Sequence, residues 1–172
     1  MRAEPHSSAP ARQRSQRGAA RSPMARLVAG DPHYALLFAL GHVERIGVVR
    51  EGVPATVLST LAGDMQVARE QLYVWAGIPR ATANRKIRLS ATLSQDESER
   101  VLGIARLIGQ VEQVVAESGA PKGFDAATWT AAWLAQPAAA LGGTSPGEFM
   151  DTADGRALVS GLISQMQSGA YA

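Results

Sequence analysis

The chain has 172 residues, 46% of them hydrophobic, a formal net charge of +2 and no cysteine. That is apolar material for one ordinary domain or two small ones, with no run near the ~18 apolar residues of a membrane span. The missing cysteines exclude a disulfide framework, thiol nucleophiles and thiolate metal sites, and the expected compartment is the cytoplasm.

Residues 1–26 stand apart. They hold six arginines and one glutamate among Ser, Pro, Gly and Ala, with little that is large and apolar. Such a segment buries too little surface to offset its ordering entropy, so disorder is expected, and it lacks the apolar core of a signal peptide. It carries most of the positive charge behind the pI of 9.4, and residues 27–172 are net acidic. A basic arm touching phosphates and an extension without a role both fit it.

The remainder reads as all-α. The spacing of apolar residues at 36, 37, 40, 43 and 46 predicts one helix over Pro32–Ile46, with Asp31 and Pro32 as N-cap and first residue. "VPATVLSTLAGDM" predicts a second helix facing inward through Val57, Leu58 and Leu61, and "VAREQLYVWAGI" a third through Val67, Leu72, Trp75 and Ile78. "RATANRKIRLS" predicts a fourth after a tight turn at Gly77. The longest helix opens at "LSQDE", where Ser94 and Glu97 form a capping box, and its stripe runs Val101, Ile104, Ala105, Ile108, Val111, Val115. This stripe fits either a dimer seam or the central helix of a bundle. Asp125 is expected to cap "AATWTAAWLA", and Ser145, Pro146 and Glu148 to start a one-turn helix. A last helix is predicted from about Ala153 to Gln167, with Leu158, Val159, Leu162, Ile163 and Met166 inward. No β-branched alternation persists, so sheet content near zero is expected.

Reactive chemistry is scarce. His6, His33 and His42 are too scattered for a metal site, and "DTADG" lacks the ligand spacing of a calcium loop. The acids Asp96, Glu97 and Glu99 suit a helix N-terminus. No catalytic residue, metal or cofactor is expected, so the chain reads as a non-enzyme.

The positive signal lies in "VAREQLYVWAGIPRATANRKIRLS", which has the form of a helix-turn-helix. Its second helix carries Arg80, Thr82, Asn84, Arg85, Lys86 and Arg88, and no acid occurs from 71 to 95. On a 3.6 period Arg80, Ala81, Asn84, Arg85 and Arg88 share a face, while Ile87 and Ala83 turn inward. Arginine forks suit guanine edges and phosphates, and asparagine suits adenine. A solvated basic face on a core helix is the plainer alternative. Readers of this type commonly bind near-palindromic sites as dimers.

Several ordered motifs resemble the Xre/MbcA/ParS-type antitoxins over roughly residues 48–172. They are "GIPRATANRK", "LSQDESERVLGIARL", "AAWLAQPAAALGGTSPGEFMDTADGRALV" and the closing "SGAYA". Gly147 and Phe149 depart from the family's preference for leucine or similar residues, and the arginine-rich tail has no counterpart. The resemblance implies an all-α antitoxin: a tail at 1–26, an Xre-like helix-turn-helix region at 27–93, a linking or dimerisation helix at 94–120 and a toxin-binding domain at 121–172. It further implies a RES-domain, NAD-destroying toxin as partner, occlusion of that toxin's active site, repression of the cognate operon through operator DNA, a homodimer within a larger toxin–antitoxin complex, and no membrane association. The toxin-facing residues it implies are Trp133, Leu141, Gly142 and Gly143, together with the end of the chain at Gly169, Ala170, Tyr171 and Ala172. Trp129 and Trp133 lie four apart on one face, which allows both in the core or one at a contact. The rival reading is a stand-alone helix-turn-helix regulator without a toxin.

Overall fold

The computed structural model describes residues 34–119 and 123–167, which fold into eight α-helices and two 3-10 turns. The helices are α1 (Tyr34–Ala39), α2 (His42–Glu51), α3 (Val57–Asp64), α4 (Arg69–Trp75), α5 (Arg80–Arg88), α6 (Gln95–Ser118), α7 (Ala126–Ala135) and α8 (Ala153–Gln167). The 3-10 turns, η1 (Ala139–Leu141) and η2 (Pro146–Phe149), lie between α7 and α8. Among the described residues the only extended pairing is an isolated antiparallel bridge, Pro54 to Thr92. It ties the strand of loop before α3 to the loop after α5, with Leu93 N–H donating to the Val53 carbonyl at 2.8 Å. The expected arginine-rich tail, the Asp31–Pro32 cap and the chain end from 168 onward lie outside the described residues.

Helix α6 is the axis. Ser94 accepts from the Glu97 N–H at 3.2 Å, and the Glu97 carboxylate accepts from the Ser94 N–H at 2.7 Å, so the capping box forms as its sequence predicts. At about 1.5 Å per residue the 24 residues of α6 span roughly 36 Å. Val101, Ile104, Ala105, Ile108 and Val111 are all buried within this one chain. Of the two roles open to the stripe, the central helix of the bundle is the one the fold adopts.

Helix α1 crosses α6 closely: Gly109 faces the Tyr34 carbonyl, where any Cβ would collide. Tyr34 is buried and its hydroxyl donates to Asp64 at 2.5 Å, pinning α1 to the end of α3. The predicted single helix over 32–46 is broken here. Gly41 takes an extended conformation, its N–H is bonded by the Glu44 carboxylate at 2.9 Å, and the Leu40 carbonyl is bonded by the Arg45 guanidinium at 2.6 Å. Local side chains thus satisfy the backbone groups that a continuous helix would pair, and glycine is a poor helix former. The inward stripe consequently fails: Leu37 is buried, but Leu36, Val43 and Ile46 are exposed, and α2 buries no residue.

The C-terminal part closes over the same axis. Arg156 of α8 bonds Glu99 at 3.0 Å and the Met150 carbonyl at 3.2 Å, and Gln110 of α6 exchanges hydrogen bonds with Ser160 and Ser164. Val159, Leu162 and Ile163 face inward as expected, whereas Leu158 and Met166 stay partly exposed because no described element covers that side of α8. Turn η2 reaches the other half of the molecule. Gly147 is buried against the indole of Trp75 on α4 and 2.8 Å, measured from its would-be Cβ, from the Leu134 carbonyl.

A glycine is therefore required at this position. Gly147→Ala should cost about 1–3 kcal/mol through overpacking, read as a lower urea midpoint at unchanged slope. Adding Trp75→Phe should recover part of the loss, and a cost below about 0.5 kcal/mol for Gly147→Ala would show that this contact yields freely.

Candidate functional site

The helix-turn-helix consists of α4, a four-residue turn and α5. Gly77 sits in the turn at φ +59°, and the buried Ala76 and Ile78 on either side anchor it. Arg100 of α6 donates to the Ala76 carbonyl at 2.8 Å, so the turn is fixed from below by the axial helix. Ala83 is fully buried and Ile87 packs partly into the core, as the periodicity predicts. Arg80, Ala81, Asn84, Arg85 and Arg88 all lie on the exposed face, so the predicted polar face exists as one surface.

Its members are not equivalent. Lys86 is half-buried and bonds Glu97 at 2.5 Å, with both side chains largely sheltered from solvent, which ties α5 to the start of α6. Thr82 is half-buried as well. Arg80 meets Glu70 at 3.3 Å across an exposed pair, a geometry worth little in water and readily exchanged for a phosphate. Asn84 uses its side-chain carbonyl to accept from the Tyr73 hydroxyl at 3.1 Å, which orients its amide. Neither Arg85 nor Arg88 has an ion-pair partner among the described residues, which leaves two guanidinium groups for an anionic partner.

The second surface is built from α7, η1 and α8. Asp125 caps α7 by accepting from the Thr128 N–H at 2.9 Å. The half-buried Trp129 and Trp133 stack with centroids 6.0 Å apart and planes 8° from parallel, and Phe124 leans on Trp129 at 6.3 Å. Such ring pairs add about 0.5–1.5 kcal/mol beyond burial. Trp133 borders a shallow groove of about 160 Å³ that Pro137, Ala139, Leu162 and Met166 complete. Leu141 is half-buried, and Gly142 and Gly143 are exposed at φ +64° and +87°, turning the chain back after η1. Gly169, Ala170, Tyr171 and Ala172 lie outside the described residues. Leu162 and Met166 escaped the sequence reading as groove residues, since only tertiary packing brings them to a tryptophan some thirty positions earlier.

Residues 44–106 match the antitoxin Xre-like helix-turn-helix domain, and residues 124–169 match the antitoxin Xre/MbcA/ParS C-terminal toxin-binding domain. A curated relative, the Prs ADP-ribosylating antitoxin of Sphingobium sp. (strain YBL2), is 42% identical over 139 residues, covering 81% of this chain and 87% of that protein.

The Lys86–Glu97 pair makes a pH prediction. Burial alone would raise the Glu97 pKa, but hydrogen bonds from Lys86 and Ser94 outweigh it and hold the carboxyl below its ordinary 4.5. A depressed carboxyl pKa stabilises the fold above the unfolded value and loses that contribution as pH falls through the folded one. Stability should therefore decline as pH drops from about 4.5 downward, and Glu97→Gln should flatten that part of the urea-stability profile. An unaltered acid limb in the variant would remove Glu97 as its source.

Proposed function

The chain belongs to the Xre/MbcA/ParS antitoxin family, and from that footing we propose that it neutralises a RES-domain, NAD-consuming toxin by covering its active site. In the same reading it acts in the cytoplasm, represses its own operon through α4 and α5, and performs no chemistry itself. The observation that carries this is the separation of two kinds of surface on one body. The exposed arginines of α5 suit DNA, and none of them lines the apolar groove beside Trp133. Occlusion needs a rigid shape and an aromatic anchor rather than reactive groups. The stacked tryptophans and the glycine turn at 142–143 supply that shape.

A homodimer accompanies this reading, since two helix-turn-helix units on a near-palindromic operator give the usual geometry. Its seam is assigned away from α6, whose stripe is already buried. The name of the Sphingobium relative favours a variant of the toxin chemistry. It refers to ADP-ribosylation of Prs, so the partner here would break the bond between ADP-ribose and nicotinamide in NAD, release nicotinamide and pass the ADP-ribosyl group to a protein rather than to water. A stand-alone regulator has less support, because residues 124–169 match a toxin-binding domain.

Co-expression with a RES-type reading frame adjacent to this gene should rescue growth and yield a co-purifying complex; failure of both would end the antitoxin reading for that pair. With labelled NAD, the isolated toxin should release either free ADP-ribose or a labelled protein, which separates hydrolysis from transfer.

The division of labour is testable on the antitoxin itself. Arg80→Ala with Arg85→Ala should weaken operator binding and lower its salt slope by about 2, at roughly 0.9 per phosphate contact, with neutralisation intact. Truncation after Ser168 should do the reverse. Lost neutralisation in the arginine variant, or full protection by the truncated chain, would refute the assignment.

A further inference from the structure

Leu37, Leu40 and Ile46 of the α1–α2 stripe border a half-open cavity of about 630 Å³. Its walls come from α1 and α2 (Leu37, Ile46, Val49), from α6 (Leu102, Leu107) and from α8 (Ala157). The volume lies within the range of about 300–1,000 Å³ typical of small-molecule sites. Arg45 and Arg106 also line it. Arg45 spends one N–H on the Leu40 carbonyl. The Nε of Arg106 is buried with no acceptor among the described residues, and its guanidinium lies 6.0 Å over the Phe38 ring. Burial, and then the charge of Arg45, draw the Arg106 pKa below its usual range, as expected for two cations sharing one site. The lining acid, Glu99, is already bonded by Arg156 at 3.0 Å.

We propose that this cavity binds a small monocarboxylate with an apolar body, the carboxylate seated between Arg106 and Arg45. The chemistry follows from what the cavity lacks. Arg106 lines the cavity with no ion-pair partner among the described residues, and the guanidinium fork matches a carboxylate in two parallel hydrogen bonds. Arg50 and His42 also line the cavity, while Leu37, Ile46, Leu102 and Leu107 suit an apolar body, which inorganic phosphate lacks. The ligand also supplies what α2 is missing. That helix buries no residue of its own, and its Ile46 and Val49 would gain a packing partner bridging to α6 and α8. This site is independent of the antitoxin reading, because no residue of the Trp133 groove lines it.

Octanoate, kept below its micellar concentration, is the probe, titrated calorimetrically into the full chain beside octanol and inorganic phosphate. The expected result is saturable 1:1 binding of octanoate, with octanol and phosphate weaker by about tenfold or more, the difference one charge-assisted contact makes. Hydrogen exchange across His42–Glu51 should slow on binding. Arg106→Met should lose octanoate binding while unfolding at or above the temperature of the parent chain. Should Arg106→Met fail to fold, Arg45→Gln and the rim-filling Ala157→Phe, at an exposed position, should each weaken binding by a similar factor. No saturable octanoate binding up to about 10 mM, equal binding of octanol, or unchanged affinity in the folded variants would overturn the proposal. Protection of α2 that follows protein concentration and not octanoate would likewise overturn it, assigning the cavity to a second copy of the chain.

Discussion

One helix face governs this molecule. The stripe Val101, Ile104, Ala105, Ile108 and Val111 on α6 is buried, and elements from both halves of the chain dock around it. Burying each of its Val and Ile side chains is worth about 1.5–3 kcal/mol, more than an exposed pair such as Arg80–Glu70 contributes. The polar faces of α6 then fix what the stripe attracts. Arg100 holds the turn of the helix-turn-helix, Ser98 bonds the Val53 N–H before α3, and Gln110 clips α8. The long helix works less as a spacer than as the shared core of two functional regions.

The coupling of those regions is steric. Trp75 belongs to α4 of the helix-turn-helix, yet its indole rests on Gly147 of η2, within the part that matches the toxin-binding domain. Met150 just beyond is completely buried. The stretch from 142 to 155 is rich in glycine because the backbone there must turn sharply and approach other chain segments closely, which a side chain would prevent. A shift at either end would be felt across this contact, since packed interiors transmit displacement rather than absorb it.

Positive charge is distributed by a similar logic. Lys86, Arg100 and Arg156 are consumed by internal partners that hold helices together. Arg85 and Arg88 keep to the exposed face of α5, and Arg106 lines the cavity beside α2 without an ion-pair partner among the described residues. A cation with an internal partner is structure; an accessible cation without one is capacity to bind an anion. Counting basic residues along α5 does not make this distinction, which is why Lys86 reads as a surface residue in sequence and as a tether in the fold.

Local chemistry carried much of the fold into the sequence. The capping boxes at Ser94 and Ser145, the Asp125 cap, the stripe of α6 and the inward turn of Ala83 and Ile87 depend on residues three or four apart, so spacing alone determines them. The exposed basic face of α5 follows from the same period. The break at Gly41 is also local, since Glu44 and Arg45 satisfy the backbone groups at 41 and 40, but the apolar spacing across it masks that signal. Tertiary structure alone decided the exposure of Val43 and Met166, the seat of Gly147 under Trp75, and the groove that joins Trp133 to Leu162. Each of these depends on which distant surface arrives, and periodicity marks an apolar face without naming what will cover it.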